Sequence, residues 1–258
     1  MHWLKVYDIP EGSRTSRGKS IVNLLQMKRD EEIADMIRVR EFSADEHLVM
    51  ATAQGVIKKS NLSDFSHVRA NGIIAIKIDE GDRLIGVRKT GGSDDVMLTS
   101  RQGLSIRFQE GQLRDQGRAT RGVRGMSLAK EDEVVNLEVV DPKETLVVVT
   151  SNGYGKRTAY SEYRKQKRGG KGIITIRTSE RNGEVVGAHT VRDDDALMLL
   201  SFAGQMIQFS VSDLRVISRN TQGVRLINLN EDDRLVSATK VEPEPEKESD
   251  EQNLEGVQ

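Results

Sequence analysis

Cysteine is absent from the 258 residues, which excludes disulfides, thiolate zinc sites and cysteine nucleophiles and suits a reducing cytoplasm. No apolar run reaches the roughly 18 residues that a membrane-spanning helix needs. The opening stretch MHWLKVYDIP has no apolar core of the kind that marks a secretory signal. It reads instead as a strand already under way, which points to a fragment without its natural N-terminal part. The single tryptophan, Trp3, rules out the Gly-His to Trp-Asp signature of the commonest propeller repeats. Metal-ligand spacing is missing among His2, His47, His67 and His189, and no glycine-rich loop has the GxxxxGK[ST] form. The acids Asp193, Asp194 and Asp195 read as a solvated turn. We therefore expect no catalytic residue, no metal and no cofactor in this chain.

An excess of either charge is also missing overall, with 39 basic and 40 acidic residues. The balance conceals an uneven distribution. Residues 242–258 hold seven acids and only Lys247; setting them aside leaves 38 basic and 33 acidic residues, a net charge of +5. The sequence thus divides into a basic body, residues 1–241, and an acidic, polar tail, residues 242–258, whose composition is that of a disordered segment. With 36% hydrophobic residues the body can bury a core, either as one large all-β domain or as two smaller ones.

A repeat decides for one. A β-rich run, a polar turn with glycine and a second β-rich run recur as LVMATAQGVIKKSNL (48–62), VMLTSRQGLSIRFQE (96–110), LVVVTSNGYGKRTAY (146–160) and LMLLSFAGQMIQFSV (197–211). Their turn glycines, Gly55, Gly103, Gly153 and Gly204, are spaced by 48, 50 and 51 residues. Each run is a hairpin by pattern. A basic connector ending in an alternating apolar stretch follows every hairpin and also precedes the first: RGKSIVNL (17–24), ANGIIAIKI (70–78), VRGMSL (123–128), GGKGIITIR (169–177) and TQGVRLINL (221–229). Aligning Gly18, Gly72, Gly125, Gly172 and Gly223 gives spacings of 54, 53, 47 and 51. An acidic turn then opens a further strand, as in DEGDRLIGV (79–87) and KEDEVVNLEV (130–139). Four-stranded units of about fifty residues cannot each bury both faces and must stack, which predicts a propeller-like ring. WLKVYDI (3–9) matches the second strand of the later hairpins, so we expect five units with the first short by one strand.

The heptapeptide QKRGGKG, Gln166, Lys167, Arg168, Gly169, Gly170, Lys171 and Gly172, carries three cations and three glycines. Glycine lets the backbone approach a bulky partner, and the cations offer charge to phosphate oxygens. Around it lie Lys156, Arg157, Arg164, Lys165 and Arg177 against Glu162 alone. Other connectors carry Arg14, Arg17 and Lys19; Lys58, Lys59 and Arg69; Arg114, Arg118, Arg121 and Arg124; and Arg215, Arg219 and Arg225. Equivalent connectors of stacked blades share one edge of a ring, so these cations predict a curved track for double-stranded DNA that holds phosphates without reading bases. The turn glycines read as structural, and Tyr154, Tyr160 and Tyr163 as packing residues or as stacking platforms. The competing reading is a propeller-type interaction module whose basic edge docks an acidic protein; it predicts indifference to DNA length.

The segments HWLKVYDIPEGSRTSRGKSIVNLL, LVMATAQGVIKKSNLSDF, RANGIIAIKIDEGDRLIGV, RATRGVRGMSL, TSNGYGKRTAYSEY and SRNTQGVRLINL resemble, in order, the C-terminal domain of the A subunit of bacterial DNA gyrase, over residues 3–241. Similarity to the paralogous topoisomerase IV domain is weaker, since that domain usually lacks the glycine-basic box. The resemblance implies a β-pinwheel, a disc of blades with strands exchanged between neighbours, whose basic rim wraps DNA with positive handedness. It also implies a non-catalytic module of a cytoplasmic, nucleoid-associated enzyme. There, ATP, magnesium and the cleavage chemistry belong to other domains or to the B subunit of the heterotetramer. Nothing in the residues calls for an obligate dimer, and we expect the isolated domain to be a monomer. QKRGGKG agrees at every position with the family's box, Q-(R/K)-R-G-G-(R/K)-G. In the family that box precedes the stretch equivalent to LKVYDIP, whereas here it follows the third complete hairpin. Two readings stay open: the chain lacks a first blade with its own box, or it has a single box in this unusual place.

If the acidic tail competes with DNA for the basic rim, deleting residues 242–258 tightens duplex binding at low salt and changes little at high salt. Unchanged low-salt affinity in a filter-binding titration would refute the competition.

Overall fold

The structure, a computed structural model, describes residues 1–13, 17–25, 27, 31–69 and 71–241; the acidic tail and Arg14 lie outside them. Fifteen strands carry the described fold. They are β1 (His47–Thr52), β2 (Val56–Asn61), β3 (Leu84–Thr90), β4 (Asp95–Ser100), β5 (Leu104–Gln109), β6 (Val123–Arg124), β7 (Val134–Val140), β8 (Thr145–Thr150), β9 (Tyr154–Ala159), β10 (Ile173–Ile174), β11 (Val185–Val191), β12 (Ala196–Ser201), β13 (Met206–Ser210), β14 (Val224–Arg225) and β15 (Leu235–Val241). The only helical pieces among the described residues are short 3-10 turns, and none is long and apolar enough to cross a membrane.

All four expected hairpins form, as β1–β2, β4–β5, β8–β9 and β12–β13, and each takes a third antiparallel strand from the run after its acidic turn. The fourth strand does not come from the same repeat. Sheet orders are β3-β1-β2-β6, β10-β5-β4-β7 and β11-β8-β9-β14, so each connector pairs with the hairpin of the preceding blade. Only two residues of each connector enter the ladder, fewer than the apolar alternation suggests: Val123 and Arg124 opposite Ile57 and Val56, Ile173 and Ile174 opposite Ser105 and Leu104, and Val224 and Arg225 opposite Gly155 and Tyr154. Beyond them the chain turns over the hairpin tip. There one turn-glycine carbonyl accepts two successive N–H groups: Gly55 from Gly125 and Met126, Gly103 from Thr175 and Ile176, and Gly153 from Leu226 and Ile227.

Glycine is required at both ends of this crossing. At Gly122, Gly172 and Gly223, φ is +101°, +83° and +77°, and an added Cβ would stand 2.7, 2.5 and 2.5 Å from the carbonyl oxygens of Ile57, Ser105 and Gly155. The glycine equivalent to Gly72, Gly172 and Gly223 is therefore Gly122, not Gly125, whose φ is not positive. At the hairpin tips, a Cβ on Gly55, Gly103 or Gly153 would meet the carbonyl of Met126, Ile176 or Ile227 at 2.7, 2.3 and 2.7 Å. Gly204 shares the positive φ of +87° but faces open space, because the sheet β13-β12-β15 receives no donated strand.

Period-two alternation gives each blade two apolar faces. On β1, Leu48 and Met50 face one way, packing with Leu62, Phe65, Trp3 and Phe42, while Val49 and Ala51 face the next blade and join Val96, Leu98, Ile106 and Phe108. Met97 of β4 points to the third blade, where it meets Leu146, Val148, Tyr160 and Tyr163; Val147 and Val149 of β8 point to the fourth, with Leu197 and Leu199. The core is thus a series of inter-blade layers, each buried side chain contributing about 1.5–3 kcal/mol. The outer face of the last blade is partly uncovered, with Leu200 and Met206 exposed.

The first unit departs from the expected strand at 3–9. Val6–Asp8 is a 3-10 turn, in the place held in later blades by Leu62–Phe65, Glu110–Gln112, Tyr160–Glu162 and Val211–Asp213. The strand equivalent lies just before it: Met1 and Ile73 exchange two backbone hydrogen bonds of 2.9 Å, as the later connectors do with their preceding hairpins. With no first strand beside it among the described residues, Met1–Lys5 forms no ladder. Instead Trp3 packs edge-on against Phe42, with ring centroids 4.8 Å apart, and closes the layer over β1.

The two glycine environments generate a paired prediction. Gly153→Ala adds a carbonyl collision to the strain of positive φ and should cost several kcal/mol, whereas Gly204→Ala incurs only the conformational term of about 1–2 kcal/mol. Denaturant midpoints of the two variants check the order, and equal losses would contradict the account.

Candidate nucleic-acid interface

Three connectors align residue for residue as QGRATRG (116–122), QKRGGKG (166–172) and ISRNTQG (217–223). Each is held on its preceding blade by the same backbone bond: Gln116 N–H to Lys59 O at 2.9 Å, Gln166 N–H to Arg107 O at 2.8 Å, and Ile217 N–H to Arg157 O at 2.8 Å. Each is also tied to the connector before it. Lys77, Ser127 and Arg177 donate their N–H groups to the carbonyls of Thr120, Gly170 and Thr221 at 2.9, 2.9 and 2.8 Å. The strands β3, β7, β11 and β15 contact one another in succession at the inner edges of the sheets. Where a donated strand is present it forms the opposite edge, so the connectors make one hydrogen-bonded belt along the outside.

Within QKRGGKG the three cations have different tasks. Arg168 works as a clamp, donating Nε to Gln112 O at 3.2 Å and Nη1 to Arg124 O at 3.0 Å, while its own N–H donates to Gln112 Oε1. Gly169 N–H reaches Gly125 O at 2.6 Å, and Ser127 Oγ donates to Gly169 O, so the glycines lie flat on the neighbouring connector. Lys167 and Lys171 are exposed and have no partner among the described residues. The contrast with the preceding connector is instructive: Arg121, the equivalent of Lys171, pairs with Asp79 at 2.5 Å, whereas the counterpart of that acid one repeat on is Ala129. Arg121 is thus a neutralised cation rather than a free one.

A second row appears only on alignment. Arg114, Arg164 and Arg215 each follow a side chain packed in the core layers, Leu113, Tyr163 and Leu214, and all three are exposed without an ion-pair partner among the described residues. Arg118 and Arg219, equivalents of Arg168, are half-buried, and Arg219 Nη1 donates to Ile174 O at 2.9 Å. Arg17, Lys19, Arg69, Arg124 and Arg225 are exposed, and Lys165 lies 3.0 Å from Asp95. Arg69 and Arg118 line an open cleft between residues 69–74 and the connector 116–122.

Four expected contact residues are corrected by their burial. Lys58 and Lys156 are 0% and 1% exposed and hold connectors from beneath: Lys58 Nζ donates to Ala75 O at 2.6 Å and Arg118 O at 2.5 Å, and Lys156 Nζ to Ser218 O at 2.8 Å. Lys59 pairs with Asp115 at 3.4 Å, and Arg157 is spent on Asp193 and Thr145, as the equivalent Arg107 is on Asp95. These residues lie in strands whose alternation turns the side chains toward an inter-blade layer. Sequence reading sees their charge but not that face. Where the full box lies above, the position of Lys58 and Lys156 is taken by Ile106, on which Gly170 packs. Tyr160 and Tyr163 are core residues bonded to Thr190 and Thr175, each at 2.6 Å. No group of three His, Cys, Asp or Glu among the described residues is placed to hold a metal.

The architecture defines a strand-exchanged β-propeller with a cationic outer belt. The sequence matches the family described as "DNA gyrase C-terminal domain, beta-propeller" in five consecutive segments, residues 3–40, 46–90, 94–141, 144–192 and 195–242, and the chain belongs to that family. The five segments agree with five units, the first of them incomplete. Relatives include the DNA gyrase A subunits of Salmonella typhimurium, 46% identical over 251 residues, and of Escherichia coli K12, 44% identical over 253. The alignments take in 97% and 98% of this chain but only 29% of each relative, so the chain spans less than a third of their length. Among solved structures, the C-terminal domain of DNA topoisomerase IV superposes with a TM-score of 0.84 at 26% identity, covering 92% of this chain and 74% of that one. The DNA gyrase A C-terminal domain gives 0.77 at 28%, covering 86% and 74%.

Burial lowers the Lys156 ammonium to about 7, with Arg219 adding to the effect, and lowers Lys58 to about 8. Below pH 7 Lys156 is protonated whether folded or not, and folding then bears the desolvation of its charge. From about pH 7 upward the unfolded chain holds a proton that the folded chain has released, so stability rises with pH toward the ordinary lysine value of 10.5. Replacing Lys156 by Met should flatten that rise between about pH 7 and 9.5 in denaturant titrations. An identical slope in the variant would refute the assignment.

Proposed function

We propose that this domain binds double-stranded DNA along its outer belt and bends it. In that role it is the wrapping module of the A subunit of a DNA gyrase, presenting a positively wrapped segment to the strand-passage core. Working with the B subunit, that core uses ATP and magnesium to introduce negative supercoils. The domain itself contributes no catalytic group on this reading and acts in the cytoplasm on the nucleoid.

The observation that supports the proposal is the connector-to-connector hydrogen bonding, which ties successive connectors into one belt, on or just before which stand the exposed cations Arg114, Lys167, Lys171, Arg164 and Arg215. Bending a 20–30 bp site by 40–90° costs roughly 1–6 kcal/mol, which a handful of phosphate contacts offsets. Neutralising about 6–8 phosphates gives log K against log salt a slope of roughly −5 to −7. Because every contact is to charge and none is built to read base edges, discrimination among sequences should be weak.

Ligating a short linear duplex into circles with and without the domain tests wrapping and its sign together. The topoisomer distribution should shift with native protein and revert with Lys167, Arg168 and Lys171 all replaced by alanine. Binding that ignores duplex length, with no topoisomer shift, would favour docking of an acidic protein instead.

A further inference from the structure

The belt has a gap in its cations. At the sixth position of the aligned heptads the first two connectors carry Arg121 and Lys171, but the third carries Gln222. The structure fills it from another segment. Arg181 Nη1 lies 3.4 Å from Gln222 Oε1, and the same guanidinium stands over the Tyr154 ring, 5.1 Å from its centroid, with Nε 3.4 Å from the phenol oxygen. Arg225, on the donated strand β14, approaches the same ring, 5.3 Å from the centroid, and its Nη2 donates to the phenol oxygen at 2.8 Å.

This trio occurs in one repeat only. The turn before each inner strand holds the hairpin tip through Asp82, Asp132, Asn182 and Asp233. The residue just before these is Gly81, Glu131 and Asp232 in three repeats, and Arg181 in the third blade. Tyr154 has Val56, Leu104 and Gln205 as its counterparts. Tyr154 is 5% exposed and fixed by packing, while both arginines are exposed at its edge. Their remaining contacts are to neutral amides, Gln222 and Asn228, and neither makes an ion pair among the described residues. Two guanidiniums are thus held close around one phenol with no carboxylate to balance them, and together they lower the phenol's pKa. Planar guanidinium forks brought together in this way match the oxygens of a phosphate.

We propose that Arg181 and Arg225, mounted on Tyr154, form a seat for one phosphodiester group of a bound duplex, carrying the belt past Gln222. The assignment rests on the DNA-binding function proposed for the belt. The aromatic ring serves as a mount rather than as a stacking platform for a base, because its face is occupied.

Duplex affinity of the whole chain, measured against salt, tests it. Arg181→Gln combined with Arg225→Gln should lower the salt slope by about 0.9 and weaken binding roughly five- to tenfold at about 0.1 M salt. Tyr154→Leu, which takes the residue found at the matching position of the second blade, leaves the charge unchanged and should still reduce affinity by releasing both side chains. Thermal melting of each variant establishes that it folds. A native slope in the double variant, or full affinity in Tyr154→Leu, overturns the seat while the Lys167→Ala, Lys171→Ala variant still reports on the belt. Failure of the native domain to bind duplex overturns the DNA-binding function itself.

Discussion

Everything in this molecule depends on a backbone crossing in which a connector passes so close to the preceding hairpin that no side chain fits between them. Gly122, Gly172 and Gly223 put their α-carbons against the carbonyls of Ile57, Ser105 and Gly155, and the hairpin-tip glycines Gly55, Gly103 and Gly153 receive the same connectors a few residues later. Each crossing does two things. It completes a sheet that would otherwise present an open edge, and it links one blade covalently to the sheet of its neighbour. Sheets that share strands cannot slide past each other, so the inter-blade apolar layers are held in register.

The cationic belt is a by-product of the same crossing. A connector that must reach back to the previous blade has to run along the outside, and its neighbours must run beside it, as the bonds to Thr120, Gly170 and Thr221 show. Charges placed on connectors therefore become adjacent in space although they are about fifty residues apart in sequence. The supports beneath differ. Two connectors rest on buried lysines, Lys58 and Lys156, which take up backbone carbonyls, whereas QKRGGKG rests on Ile106 and is clamped by Arg168. Its glycines flatten the loop against the neighbouring connector, which leaves Lys167 and Lys171 facing outward.

Much of this is legible in the sequence. The four hairpins, the acidic turns, the inner strands and the box all stand in the sequence because turn chemistry and period-two alternation are local properties. Other features depend on contacts that local pattern does not carry. Gly125 aligns with the connector glycines by sequence, but only Gly122 has the left-handed backbone that the crossing demands. Val6–Asp8 alternates like a strand but is the 3-10 turn that follows the second hairpin strand in every blade, a step that alternation does not distinguish from a strand's continuation. Lys58, Lys59, Lys156 and Arg157 read as surface charge in the sequence but are buried, because composition does not say which face of a strand is covered.

The sequence by itself determined the repeat length, the strand content, the hairpin-tip glycines and the excess of cations in the connectors, since each follows from the preferences of residues near one another in the chain. Only the tertiary structure decided which blade receives each connector and which cations reach solvent. It also decided that Arg181 and Arg225, 44 positions apart, meet on one tyrosine. Those outcomes turn on contacts between repeats, where nearly identical units offer a strand several equivalent partners and only the packing of whole sheets selects among them.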